Sequence, residues 1–312
     1  MRRLCALGAA AFAALLLFVN PVLARERLVF IGHWPVSDSF FNVIRNSAQL
    51  AADELHVQIE FRNPPSGDLA QMAELINQAA ASKPDGIIAT IPDMAIVGDP
   101  LSNAVASGIP VVIVNSGTPE QAKKIGALIY IGQAEFEAGK AAGETARAAG
   151  VKSFVCVNHF YQHPASHQRC NGFATGLGVP LGDQEIDSGT DPTDVVSRTG
   201  AFLKTHPNTQ AILTLGPTSA DPVIKYLRDQ GLTSKYWLAT FDLSQDIVQA
   251  MKDGIVKVAV DQQPFLQGYD AVQVLTLFNR YGVLQANNIA SGPGLITKAN
   301  LAQVLALAGK YR

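Results

Sequence analysis

Charge is scarce in this chain: Asp, Glu, Lys and Arg make up only 16% of its 312 residues, and the formal charge is −2. Such a faint acidic balance excludes the basic surface that nucleic acid or an anionic membrane would require. Cysteine is scarcer still, with Cys5, Cys156 and Cys170 in the whole chain, too few to build a metal site from thiolates alone. Common catalytic patterns are absent as well. There is no GxSxG elbow, no GxxxxGK[ST] phosphate loop, and no GxGxxG after a strand. Beyond residue 24 no apolar stretch is long enough to span a membrane, and no repeat, low-complexity tract or flexible linker interrupts the chain.

What is present begins at the N-terminus. Arg2 and Arg3 precede the apolar run Leu4–Val19, which is followed by Pro21 and Val22-Leu23-Ala24. This is the layout of a cleaved secretory signal peptide, residues 1–24. The run is short for a retained anchor, and Cys5 lies ahead of it, where lipid attachment has no place. The mature chain of 288 residues carries a formal charge of −4, since two of the basic residues leave with the signal. That length exceeds one ordinary core and predicts two domains. In an oxidising compartment Cys156 and Cys170 form a bridge or remain as two buried thiols. A bridge would close a loop worth about 3 kcal/mol.

From Leu28 onward short apolar runs alternate with amphipathic ones. Strands are expected at 28–32, 57–61, 86–90 and 111–114, then at 154–157, 184–187, 211–215, 237–240 and 257–260. Helices are expected at 40–55, 68–82, 96–107, 136–149, 166–177, 192–205, 220–230, 244–252 and 265–281. Gly150, Gly231, Gly254 and Gly282 sit where helices should stop. Near-continuous hydrophobic strands in a βα rhythm mean parallel sheets covered by helices on both faces. The chain is expected to cross between two such units near 132–133, 261–263 and 291–294.

In open α/β sheets ligands bind beyond the carboxyl ends of the strands. The residues there include His33, Trp34, Asp38, Phe40, Phe41, Asp93, Asn115 and Ser116. Farther along come Asn158, His159, Thr190, Gly216, Pro217, Thr218, Asp242 and Gln262. Amides, hydroxyls, carboxylates and aromatic rings dominate, with no lysine and no nucleophile–base pair. Planar polar groups suit hydroxyls, and aromatic rings suit the C–H faces of a sugar. The composition points to a polyhydroxylated ligand.

An ordered set of segments carries a resemblance. It comprises Asp38-Ser39-Phe40-Phe41, Lys83-Pro84-Asp85-Gly86-Ile87-Ile88, Ser107-Gly108-Ile109-Pro110, Ile131-Gly132-Gln133 before Gly139-Lys140-Ala141, and Arg169 before Gly172-Phe173. His206-Pro207-Asn208-Thr209-Gln210, Thr240-Phe241-Asp242 and Gln262 complete it. With these the chain resembles the periplasmic sugar-binding proteins of ABC transporters, the type I group that includes ribose-binding protein. The resemblance implies an α/β fold of two Rossmann-like lobes with parallel sheets, joined by a three-segment hinge. Residues 25–132 plus 263–290 would form one lobe, and 133–262 plus 291–312 the other. It implies a periplasmic, monomeric binding protein without cofactor or catalysis. Such a protein would close on a monosaccharide or sugar alcohol and deliver it to a membrane permease and its ATPase. A sugar or furanosyl-signal receptor for chemotaxis or quorum sensing is the alternative.

By the same resemblance Phe40 and Phe41 sandwich the sugar ring, although adjacent helix residues point apart and Phe41 would equally suit the core. Asp38, Arg169, Asp242 and Gln262 would contact hydroxyls. Alanine at Arg169 or Asp242 is expected to weaken binding more than tenfold and leave the fold intact. Trp34, Asp93, Asn158, His159 and Thr190 complete the expected ligand shell. The chain departs from the ribose pattern at Asn115-Ser116, where an Asp-Arg pair is usual, and at Gly216-Pro217, where an Asn-Asp pair is usual. These departures point away from ribose toward another small sugar or a polyol.

Other readings have less behind them. His159, His163 and His167 have helical metal-ligand spacing, but Pro164 forbids a continuous helix through them. Asp38, Asp93 and Asp242 would look the same in sequence whether they bound hydroxyls or cleaved glycosides. A repressor would carry a basic helix-turn-helix where this chain has its signal peptide.

Overall fold

The computed structural model describes residues 26–34 and 38–312, apart from the side chain of Ser39, so the expected signal peptide and Cys5 lie outside the described residues. The first βα series runs β1 (Arg27–Ile31), α1 (Ser39–Leu55), β2 (Gln58–Arg62), α2 (Leu69–Ala81), β3 (Gly86–Ala89), α3 (Met94–Ala106), β4 (Val111–Val114), α4 (Pro119–Ile125) and β5 (Ile129–Gln133). The second runs α5 (Glu135–Ala148), β6 (Phe154–Asn158), α6 (Pro164–Leu177), β7 (Glu185–Asp187), α7 (Pro192–Thr205), β8 (Ala211–Thr214), α8 (Pro217–Asp229), β9 (Trp237–Phe241), α9 (Gln245–Lys252) and β10 (Val256–Asp261). The chain then forms α10 (Pro264–Tyr281), β11 (Ile289–Gly292) and β12 (Gly294–Ile296).

Two six-stranded sheets result, ordered β11-β5-β4-β3-β1-β2 and β12-β10-β9-β8-β6-β7. Every neighbouring pair is parallel except β10 and β12. Side chains alternate across each strand, so Leu28 and Phe30 enter one core layer while Val29 and Ile31 enter the opposite one. The chain passes between the sheets after β5, between β10 and α10, and between β11 and β12. β5 runs through Gln133 and β11 through Gly292, so the first passage follows residue 133 and the third lies at 292–294, within the expected 291–294.

Four short elements escape the sequence reading. Ile129–Gln133 looks like a crossing rather than a strand, and α4, β11 and β12 are too brief to show a period. α6, α8 and α10 start earlier than expected with a proline at the first position, where its missing N–H is no loss: Pro164, Pro217 and Pro264. α6 therefore begins after His163, and the spaced histidines share no helix.

Helices α5 and α6 touch backbone to backbone. A Cβ added at Gly139 or Gly143 would fall 2.2 Å from the carbonyl oxygen of Arg169 or Phe173. One added at Gly172 or Gly176 would fall 2.1 Å from that of Phe136 or Lys140. Only glycine allows this approach. Beside it a disulfide joins Cys156 on β6 to Cys170 on α6, so the bridge reading holds over two free thiols. Gly172→Ala should therefore destabilise the protein by about 2 kcal/mol or more in urea, since packed helices must part. At Gly150 nothing lies within 4 Å of an added Cβ. Gly150→Ala should cost only the strain of its φ of 85°, about 1 kcal/mol. Equal losses at the two positions would contradict the packing described.

Candidate functional site

The carboxyl ends of the strands of both sheets converge on one cleft, which leaves about 50 Å³ for the centres of water-sized molecules. Asp38 opens it from the first lobe. Its Oδ1 accepts from the backbone N–H of Phe40 at 2.9 Å and of Phe41 at 3.5 Å, capping α1 and turning both rings into the cavity. Burial pushes its carboxyl up to about 6 against those two hydrogen bonds. Phe41 lines the cleft and also stacks on Trp34 at 3.8 Å, so its ring touches both the cavity and the core of the first lobe.

The floor is a buried relay of amides. The Gln262 side chain donates to both carboxylate oxygens of Asp242, each at 2.9 Å. Its own oxygen accepts from Asn115 at 3.3 Å, and Asn115 also donates to Gln267 at 3.1 Å. Gln267 in turn donates to Ser291 at 3.0 Å. Asn115 follows β4 and Asp242 follows β9, equivalent strands in the two sheets, and their φ values are 59° and 61°. Asn and Asp tolerate that left-handed conformation better than other side chains do. Burial holds the Asp242 carboxyl well above its usual range, with Arg169 and Gln262 opposing the shift.

Arg169 lines the wall of the second lobe with its charge already matched. Its Nε and Nη2 donate to Glu135 at 2.6 and 3.0 Å, and its Nη1 to the carbonyl of Leu215 at 3.0 Å. Its guanidinium lies 4.4 Å from the centre of the Phe241 ring. Burial opposes that charge, but Glu135 more than compensates and keeps its pKa raised. The expectation that Arg169→Ala leaves the fold intact is therefore corrected. It would leave the buried Glu135 carboxylate with the Gln133 amide as its hydrogen-bond partner but without its counter-charge, at a cost of about 3 kcal/mol or more.

Of the sequence-predicted site residues, Asp38, Phe40, Phe41, Asn115, Ser116, His159, Arg169, Pro217, Asp242 and Gln262 line the cleft. Four others do not. Trp34 stands behind Phe41 as its packing partner. Asp93 caps α3, accepting from the N–H of Ala95 at 2.8 Å. Asn158 is fully buried, donating to Glu185 at 2.7 Å and accepting from the N–H of Phe160 at 2.9 Å. Thr190 is exposed beyond β7, the edge strand. Trp34, Asp93 and Thr190 follow strands and Asn158 ends β6, but ring packing, a helix cap, an edge position and buried hydrogen bonds, respectively, hold them away from the cavity.

The cleft also contains His33, Phe160, His163, Ser166 and Thr218, which the ribose pattern does not single out. His33 and Thr218 were legible as residues after strands. Ser166 was not, because only the early start of α6 brings it round. His163 crosses from the second lobe to lie 5.3 Å from the ring of His33 and stacks on Phe160 at 4.9 Å, closing the cleft mouth.

Residues 29–278 match the family model described as periplasmic binding protein domain. The chain belongs to the periplasmic binding protein family. Among solved structures, a carbohydrate transporter from Acidothermus cellulolyticus 11B in complex with myo-inositol is 34% identical, with TM-score 0.85. The match covers 93% of this chain and all of that one. An ABC sugar transporter periplasmic sugar-binding protein from Legionella pneumophila is 30% identical, with TM-score 0.80, over 86% of this chain and all of that one. The xylose/arabinose-binding protein XylF of Sulfolobus acidocaldarius is 24% identical over 91% of this chain and 74% of its own length. These relatives are binding proteins, and this member of the family is a binding protein rather than an enzyme.

The shifted carboxyl in the cleft gives a pH test. Because Asp38 is held to about 6, above its unfolded value of 3.8, the folded state keeps its proton longer, and this group's stabilising effect fades as pH rises between those values. Asp38→Asn preserves the cap and removes the ionisation. Its stability advantage over the parent in urea should grow from near zero at pH 4 to on the order of 3 kcal/mol at pH 7. A constant difference across that range would contradict the burial of this carboxyl.

Proposed function

We propose that the chain is the periplasmic solute-binding protein of an ABC importer, and that it takes an uncharged monosaccharide or sugar alcohol in its cleft and delivers it to the permease. The observation that carries this reading is the electrostatic state of the cleft. Among the described residues of the cleft the one guanidinium is already paired with Glu135, and the carboxyl groups of Asp38 and Asp242, both shifted toward their neutral form by burial, face a cavity lined by the Phe40 and Phe41 rings. Carboxyl oxygens reward O–H donors, aromatic faces reward C–H donors, and among the described residues of the cleft no unpaired guanidinium or ammonium is left for an anionic ligand. The myo-inositol bound to the 34% identical carbohydrate transporter is a ligand of that class.

Export through a signal peptide at 1–24 fits the disulfide between Cys156 and Cys170. The lobes are then 25–133 plus 263–292 and 134–262 plus 293–312, moving as monomer halves about the three passages. A ligand that touches both lobes stabilises the closed form, which is the form offered to the permease.

A thermal-shift screen of the mature protein against aldopentoses, aldohexoses, hexitols and inositols tests the reading. A ligand at a thousand times its Kd adds about 4 kcal/mol, a rise of several degrees. Glucuronate and sugar phosphates should give none. Asp242→Asn should lower affinity for the best neutral ligand more than tenfold in calorimetry. A shift with the anionic compounds alone would contradict the proposal.

A further inference from the structure

Two imidazoles in the cleft hold equivalent places in the two lobes. His33 follows β1 and His159 follows β6, strands at the same position in the two sheet orders. Each ring is anchored through Nδ1 by a hydroxyl of its own lobe, Thr90 after β3 at 2.9 Å and Ser219 beyond β8 at 3.0 Å. The residues are only 4% and 8% exposed, and both line the cavity. Among the described residues neither Nε2 has a hydrogen-bond partner, and neither is sealed away from the cavity. Each Nε2 therefore opens on the cavity with its hydrogen-bonding capacity free for a ligand hydroxyl.

We propose that His33 and His159 are a specificity-determining pair whose Nε2 atoms, one from each lobe, take two hydroxyls on opposed edges of the bound ring. The proposal rests on the reading of the cleft as a sugar or polyol site. It narrows the ligand to a ring hydroxylated around its perimeter, a cyclitol or a fully hydroxylated pyranose, over deoxy sugars.

The surroundings keep both rings neutral. The charged and titratable groups sharing the cavity are Asp38, His163, Arg169 and Asp242. Burial, with His163, holds His33 well below its usual range, and burial, with Arg169 and His163, brings His159 to about 3. The Ser219 hydroxyl accepts from the N–H of Leu215 at 3.1 Å and donates to the carbonyl of Gly216 at 3.3 Å. His159 then donates to it through Nδ1–H, which leaves Nε2 as an acceptor for a ligand O–H.

The test is calorimetry with myo-inositol, D-glucose and D-xylose, followed by the monodeoxy analogues of whichever binds. His33→Phe and His159→Phe keep the ring shape and delete the nitrogens, and His159→Gln keeps a polar end. Each Phe variant should bind the parent's ligand at least tenfold more weakly. That loss should vanish against one monodeoxy analogue, a different one for each histidine, and His159→Gln should recover part of the affinity. Phe variants that melt like the parent and bind every analogue in the parent's order would overturn the proposal and leave the sugar reading standing. A parent protein that binds only deoxy sugars or open-chain polyols would overturn the proposal and leave the sugar reading standing, and one that binds no neutral sugar or polyol at all would overturn both.

Discussion

Much of the cleft depends on one amide, Gln262. It lies 1% exposed at the passage from β10 to α10, and its two functional atoms join Asp242 of the second lobe to Asn115 of the first. Each buried polar atom left without a partner costs about 1–3 kcal/mol, so the groups on either side are held in register. Through Asn115 the relay continues to Gln267 and Ser291, reaching the passage between β11 and β12. The residues that would bind the ligand and the segments about which the lobes would turn are therefore parts of one hydrogen-bonded chain. A ligand that draws on Asp242 acts directly on the hinge.

The second wall is positioned by packing. The glycines of α5 and α6 bring the two backbones into contact, and the disulfide ties α6 to β6 at Cys170, the neighbour of Arg169. Glu135 at the start of α5 and Arg169 on α6 then meet at 2.6 Å. That pair makes the guanidinium a fixed donor rather than a free charge, which is what the proposed neutral ligand would require. The first lobe uses the same device: Gly268 of α10 lies where a Cβ would fall 2.2 Å from the Ile44 carbonyl of α1.

The βα order was legible because buried parallel strands such as Val111–Val114 are unbroken apolar runs, and because Asp and Pro mark helix starts. Val111–Val114 and Pro192–Thr205 needed no correction. The edge strand Ile289–Gly292 and its neighbour Gly294–Ile296 were invisible, since partly exposed short strands leave no period to read. For the site, position after a strand was a sound guide to Asn115, His159 and Asp242 but a poor one to Trp34, Asp93, Asn158 and Thr190. Residue type and place do not reveal whether a side chain is already committed to a cap or to a neighbour. The Arg169–Glu135 pair was likewise hidden, because it arises from a helix contact between residues 34 apart.

Hydrogen–deuterium exchange with and without a saturating neutral polyol or sugar addresses the central claim directly, that one ligand is gripped by both lobes and the hinge relay together. Gripping by both lobes predicts simultaneous protection of the segments around His33–Phe41, His159–Arg169, Gly216–Ser219 and Asp242, and of Asp261–Gln267 at the passage between lobes. Protection confined to one lobe, or lying away from the cleft, would contradict it.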